Sequence, residues 1–161
     1  MLRFGCRLKP TVVASLLLSL ALLAGCSEVP PAAESEGSLR VTVLPTATSL
    51  SQGDPLSMRV SIQNNGDQEE LWGSGSSRCR LSLTVLVEGE YLSAGPPRPC
   101  TMDMVQYRLA PQEHYEATLQ WDGTVLRDGR SEMLPAGDYA LYGIGGEARS
   151  EAIHLSLKAA E

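Results

Sequence analysis

The sequence predicts an all-β fold, an immunoglobulin-like antiparallel β-sandwich of seven or eight strands after a signal peptide. Three observations predict it. Apolar and polar residues alternate with a period of two in many short segments. Turn-forming Gly, Pro, Asn and Asp residues separate these segments, and the exported part lacks a convincing amphipathic helix pattern. Two cysteines, Cys79 and Cys100, lie among the strands. A small closed barrel is the alternative architecture.

The N-terminal segment has the composition of a signal peptide. Residues 11–25 read TVVASLLLSLALLAG without a charge, and Arg3, Arg7 and Lys9 precede them. This run of about 15 residues is shorter than the roughly 20 that a membrane-spanning helix needs. We therefore expect residues 1–25 to be a lipoprotein signal peptide rather than a permanent transmembrane helix.

The end of this segment resembles the bacterial lipobox, because residues 23–26 read LAGC. The resemblance implies cleavage before Cys26 and a diacylglycerol on its sulfur, which anchors the exported protein to a membrane. An ordinary secretory signal followed by a chance cysteine is the alternative. Ser27 follows Cys26, and in bacteria with two membranes this pattern is typical of outer-membrane lipoproteins on the periplasmic side.

The exported part is acidic. The whole chain has 13 basic and 19 acidic side chains, and removal of residues 1–25 takes away three basic and no acidic ones. Ten basic side chains remain against 19 acidic ones, a net charge of −9. Nucleic acids are bound through basic patches that neutralise phosphates, so we expect no nucleic-acid partner.

The exported part divides into a tether and a domain. Residues 27–37 read SEVPPAAESEG, a Pro-, Ala-, Glu- and Ser-rich stretch without apolar periodicity. Such a composition is typical of a flexible linker, so residues 26–37 are predicted to be a lipidated tether. Residues 38–161 are predicted to form the β-sandwich domain.

Alternation predicts seven strands in this domain. Their cores are residues 39–43, 56–62, 81–87, 105–109, 115–121, 139–144 and 153–157. Residues 69–72 are a possible short eighth strand. Turn signals separate the strands, among them NNGD at residues 64–67, EGE at 88–90, DG at 128–129 and PAG at 135–137.

The four cysteines have different predicted fates. Cys6 lies in the signal peptide and Cys26 carries the lipid, so Cys79 and Cys100 remain as a pair in an oxidising compartment. We predict a disulfide between them. A metal site is the alternative, but neither C-x-x-C nor H-x-x-x-H spacing accompanies these cysteines.

No residue pattern predicts an enzyme, a cofactor or a metal site. The two histidines, His114 and His154, both fall on outward positions of strands, and no G-x-S-x-G motif occurs. Residues 143–148 match the letters G-x-G-x-x-A, but a strand rather than a helix follows them, which favours a glycine-rich hairpin. Asp122, Asp128 and Glu132 lack the order of a calcium loop.

Two loops are candidate binding elements. The segment of residues 93–100 contains three prolines that fix the backbone, and the predicted disulfide restrains its end. The second candidate is the hairpin of residues 126–130. The candidate binding residues are Pro96, Pro97, Arg98, Pro99, Leu126, Arg127 and Arg130.

The order of several motifs resembles the BsuPI-type intracellular proteinase inhibitor domain. The motifs are VSIQNNG from Val60, EELW ending at Trp72, LAPQE from Leu109, LQWDG from Leu119 and LPAGDY ending at Tyr139. The resemblance covers roughly residues 55–146. It implies an immunoglobulin-like fold, in which Tyr139 is placed to form a tyrosine corner, and it implies proteinase inhibition. It assigns no reactive-site residue.

These observations predict a lipid-anchored, extracytoplasmic, non-enzymatic module that binds another protein. A proteinase inhibitor is the specific form that the resemblance implies. The alternative is a structural or assembly module of the cell envelope that docks its partners by a sheet edge or by loops.

Overall fold

The computed structural model describes residues 37–160. The predicted signal peptide (residues 1–25), Cys26 and the tether up to residue 36 lie outside the described residues. Within the described part every regular element is a β-strand, and none of its segments is a helix that could cross a membrane.

The described residues contain thirteen strands. In chain order these are β1 (Leu39–Pro45), β2 (Ser49–Ser51), β3 (Leu56–Asn64), β4 (Glu70–Gly75), β5 (Leu81–Val87), β6 (Glu90–Ala94), β7 (Val105–Leu109), β8 (His114–Trp121), β9 (Thr124–Arg127), β10 (Arg130–Met133), β11 (Gly137–Gly145), β12 (Ala148–Arg149) and β13 (Ile153–Lys158).

Two sheets form the sandwich. The smaller sheet has the antiparallel order β1-β3-β8, and the larger has the order β10-β9-β6-β5-β11-β13-β2, with β12 added to β11. Neither sheet closes on itself, so the barrel alternative is wrong. Among the described strands the pairing of β2 with β13 is parallel, and the other pairings are antiparallel as predicted.

The core lies between the sheets, where alternate residues point inward. Met58, Val60 and Ile62 of β3 face Val85 of β5 and Leu141 of β11, and all five are inaccessible to solvent. Glycines on β11 allow the sheets to approach closely, because a Cβ at Gly143 would meet the Val43 side chain at 2.6 Å. Burial of this alternating set holds the two sheets together.

A tyrosine corner ties the start of β11 to the chain before it. The Tyr139 hydroxyl donates a hydrogen bond of 2.8 Å to the carbonyl of Pro135, four residues upstream, as predicted from the sequence. Burial raises the pKa of this hydroxyl. Together with the two facing sheets, the corner defines an immunoglobulin-like β-sandwich.

A separate two-stranded ribbon, β4 paired with β7, brings two aromatic side chains into the core. The pairing has an irregularity between Leu71 and Gly73. Trp72 and Tyr107 are both buried, with ring centroids 4.9 Å apart. The possible eighth strand predicted at residues 69–72 corresponds to the first half of β4, which begins at Glu70.

The seven predicted strands are all present, and five short ones were not predicted. The additional strands are β2, β6, β9, β10 and β12. Each of these strands has at most five residues. In β10 every residue is exposed, so β10 has no buried face that alternation could reveal. The turn signals EGE and DG mark these short strands better than alternation does, because they lie in the β5–β6 and β9–β10 hairpins.

Candidate functional site

The described residues hold no cluster of His, Cys, Asp and Glu that would bind a metal. His114 and His154 are both exposed and lie on strands of different sheets. Residues 143–148 form the end of β11, a turn and β12, which is the predicted glycine-rich hairpin.

A disulfide joins Cys79 to Cys100, with Cα atoms 5.5 Å apart, and confirms the predicted pairing. It connects the segment before β5 to the segment before β7. We name residues 76–80 the support loop and residues 95–104 the stapled loop. Disulfides persist in oxidising compartments, so this bond indicates an extracytoplasmic location.

The support loop rests on the aromatic side chains of the core. The Tyr107 hydroxyl donates a hydrogen bond to the Ser76 carbonyl, which also accepts one from the Cys79 amide at 3.2 Å. The Arg80 guanidinium lies over the rings of Tyr107 and Tyr115, 5.2 and 5.0 Å from their centroids. Residues on both sides of the disulfide sulfur of Cys79 are thus fixed to the sandwich.

The stapled loop is in turn fastened to the support loop by hydrogen bonds. The Thr101 amide donates to Ser76 Oγ at 2.9 Å, and the hydroxyl oxygens of the same two residues lie 2.7 Å apart. The Ser77 amide donates to Asp103 Oδ1 at 3.2 Å. Hydrogen bonds from Thr101 and Ser77 lower the pKa of the Asp103 carboxyl to about 2, so it is charged at neutral pH.

Met102 lies between these two restrained residues and projects into solvent. Met102 is 99% exposed, and Met104 is 79% exposed. Other large apolar side chains that the structure describes as exposed reach at most 56%, at Leu44. An apolar side chain at the tip of a restrained loop is therefore the most prominent feature of this surface.

Arg98 has a structural role that the sequence did not predict. Its guanidinium donates a hydrogen bond of 2.6 Å to the carbonyl of Leu81 at the start of β5. Partial burial lowers the pKa of this group. Arg98 is nevertheless exposed, as are Pro96, Pro97 and Pro99, so its role as a binding residue stays a prediction beside this structural contact.

A groove runs beside the stapled loop. One part of about 330 Å³ lies against Ser93, Ala94 and Leu119, and an adjoining part of about 300 Å³ lies against Thr118 and Gln120. Pro96 and Arg98 line both parts. The loop therefore forms a wall between the larger sheet and β8, an edge strand of the smaller sheet.

The second predicted binding loop is only partly at this site. Leu126 of β9 lines the groove with Pro96 and Pro97, so the structure brings these three residues together. Arg127 forms ion pairs with Glu90 at 3.5 Å and with Glu132 at 3.2 Å across the hairpin, and Arg130 is exposed on β10. Neither arginine lines the groove.

The predicted binding loop ends at Cys100, two residues before the exposed tip at Met102. The segment Thr-Met-Asp-Met that follows Cys100 lies outside that prediction. The sequence signal for this tip is a pair of methionines in a polar stretch directly after the disulfide cysteine Cys100.

No family model and no curated protein matches this chain. Among solved structures, the alkylpurine DNA glycosylase AlkC of Pseudomonas fluorescens bound to DNA has a TM-score of 0.49 and 7% identity over 76% of this chain and 31% of that one. A β-glucosidase of Listeria innocua in complex with isofagomine has a TM-score of 0.46 and 9% identity over 78% of this chain and 16% of that one.

A domain of similar size is also found. The CARDB domain of the PF1109 protein from Pyrococcus furiosus has a TM-score of 0.44 and 14% identity, over 76% of this chain and 94% of that one. This chain spans less than a third of the glycosylase and about a sixth of the glucosidase. At these identities and TM-scores the similarities show no enzymatic activity for this chain.

Proposed function

We propose that this protein is a lipid-anchored, extracytoplasmic module that binds another protein through its stapled loop, with proteinase inhibition as its specific activity. The observation that carries the proposal is the position of Met102, an almost fully exposed apolar side chain between two residues that hydrogen bond to the support loop. A restrained loop loses little conformational entropy on binding, which favours affinity.

The extracytoplasmic and lipid-anchored parts of the proposal have separate support. The disulfide fits an oxidising compartment. The signal-peptide composition and the LAGC motif favour a diacylglycerol on Cys26, and two or three acyl chains anchor a protein stably. The exported part, with its net charge of −9, is repelled by anionic lipid, so membrane attachment calls for such an anchor.

The tether gives the anchored domain its reach. Eleven residues, 27–37, separate Cys26 from the predicted start of the sandwich, and a fully extended chain of that length would span at most about 36 Å. If the host has two membranes, Ser27 favours the periplasmic face of the outer membrane.

A second candidate function is an assembly module of the cell envelope, and the edge of the smaller sheet favours it. The strand β8 has eight residues and pairs only with β3 among the described strands, so its other side offers backbone groups to an added strand. Thr118 and Gln120 of β8 line the groove, where an extended partner segment would lie.

Site-specific crosslinking in the membrane distinguishes the two candidates. A photoreactive amino acid is placed at Met102 in one variant and at Thr118 in another, and the crosslinked proteins are identified by mass spectrometry. The loop proposal predicts a specific partner from position 102, and capture from position 118 alone would support the assembly module. An absence of specific capture from position 102 contradicts the loop proposal.

The lipid anchor is tested independently by mass spectrometry of the N-terminal peptide from the membrane fraction. We expect a mature chain that begins at Cys26 and carries a diacylglyceryl group. An unmodified Cys26 thiol in the mature protein contradicts the anchor without affecting the loop proposal.

A further inference from the structure

We infer that Met102 is the primary specificity residue of the stapled loop, the side chain that enters the apolar substrate pocket of an endopeptidase. This inference rests on the proposed inhibitory function and adds the residue and the character of the pocket that it enters. It is carried by three features of the loop: the exposure of Met102, the restraint of its neighbours and the chemistry of its side chain.

Exposure makes the Met102 side chain available. At 99% exposure it contacts almost nothing in its own molecule, whereas Thr101 on one side is half-buried. The side chain that dominates a protein interface is commonly one that fills a pocket on the partner and becomes fully desolvated there. Among the described large apolar side chains, that of Met102 has the highest exposed fraction.

Restraint on both sides of Met102 holds the backbone at the tip. The Thr101 amide bonds to Ser76 Oγ at 2.9 Å, and the Asp103 carboxylate accepts the Ser77 amide at 3.2 Å. The disulfide fixes the chain one residue before Thr101. A loop restrained in this way enters a protease cleft with little rearrangement, as is usual for protease–inhibitor complexes.

The Asp103 carboxylate is exposed, and its Oδ1 accepts the Ser77 amide of the support loop. The side chain of Met102 itself is unbranched and uncharged. Such a side chain fits a hydrophobic substrate slot of the chymotrypsin type and does not satisfy a pocket with an aspartate at its base.

The test asks whether a substitution at Met102 changes which protease the loop inhibits. The full-length lipidated protein in detergent is titrated against two serine proteases, one with an apolar substrate pocket and one with an acidic, arginine-selecting pocket. The wild type is expected to inhibit the first at 1:1 stoichiometry. Met102→Arg is expected to lose at least about 30-fold in affinity for the first enzyme, as at other interface hot spots, and to gain inhibition of the second.

A matched control is Leu44→Arg, which places the same charge at another exposed apolar position, on β1. It is expected to leave both inhibition constants unchanged. Thermal unfolding of all three proteins verifies the fold, since both positions are exposed.

The outcomes separate the inference from the proposed function. If Met102→Arg inhibits the first enzyme as well as the wild type does, inhibition exists but Met102 is not its specificity residue, and the inference is wrong. If no variant inhibits either enzyme while crosslinking from position 102 captures another protein, binding through the loop stands and the inference is again wrong. Rapid cleavage after Met102 without a stable complex also overturns it.

Discussion

The Thr101 hydroxyl oxygen lies 2.7 Å from the Ser76 hydroxyl oxygen, and this contact fastens the loop after the disulfide to the loop before it. The Ser76 carbonyl accepts the Tyr107 hydroxyl, whose ring packs on Trp72. A continuous set of contacts thus leads from the buried aromatic core to the residue next to Met102. The contacts that restrain the exposed tip therefore come from the sandwich as well as from the loop itself.

Removal of the disulfide is expected to destabilise the protein. The paired substitution of Cys79 and Cys100 by Ser opens a loop with a sequence separation of 21 residues, which chain-entropy arguments value at about 3 kcal/mol in the free energy of unfolding. Urea denaturation of the variant and the oxidised wild type measures the difference. An unchanged midpoint would show that the disulfide contributes nothing to stability.

Substitution Arg98→Ala is expected to lower the free energy of unfolding by about 1.5 kcal/mol, because the Leu81 carbonyl loses a hydrogen bond from a charged donor. Arg130→Ala is the matched control, since that side chain is exposed on β10, and a change within about 0.5 kcal/mol is expected. Thermal or urea unfolding gives both values. Equal effects of the two substitutions would contradict the structural role of Arg98.

Asn64 is a fully buried polar residue, and Asn64→Ala is expected to cost about 2 to 3 kcal/mol. Its amide donates to the carbonyls of Gln68 at 2.7 Å and Leu109 at 3.0 Å, and its oxygen accepts the Gly66 amide at 2.9 Å. The substitution leaves these groups without their partner. Asn65→Ala, at an exposed position next to it, is the control and should be near neutral.

The tyrosine corner predicts a dependence of stability on alkaline pH. Burial raises the folded-state pKa of Tyr139 above its usual value near 10, so its contribution is fully present below pH 10 and is lost as the pH rises through the folded pKa. Tyr139→Phe is expected to cost about 1 kcal/mol at pH 7 and to weaken this alkaline loss. Denaturant midpoints at pH 7 to 11 test it, and identical pH profiles would contradict it.

The sequence predicted the parts of the fold that depend on periodic burial. In β3 apolar and polar residues alternate strictly because one face of the strand lies on the core, and this alternation predicts the strand. The strand β10 has no buried face, so only its pairing with β9 defines it, and pairing is not visible in local composition. Two small cues did predict tertiary contacts, the cysteine pair and the tyrosine at the start of β11.

The candidate site was predicted less well, for a physical reason. A proline-rich segment beside a disulfide correctly indicated a restrained loop. Whether an arginine in it bonds to a carbonyl depends on strands that are distant in sequence, and Arg98 bonds to Leu81, 17 residues away. The residue before Met102, Thr101, likewise bonds to Ser76 of the support loop, 25 residues earlier in the chain.

The backbone dynamics of Met102 and Asp103 test the central claim most directly, because they report whether the exposed tip is rigid. Amide ¹⁵N relaxation of the oxidised protein is expected to give order parameters of about 0.85 at both residues, like those of the strands. Values below about 0.6 at Met102 and Asp103 would show a flexible loop and would contradict the account of a restrained binding tip.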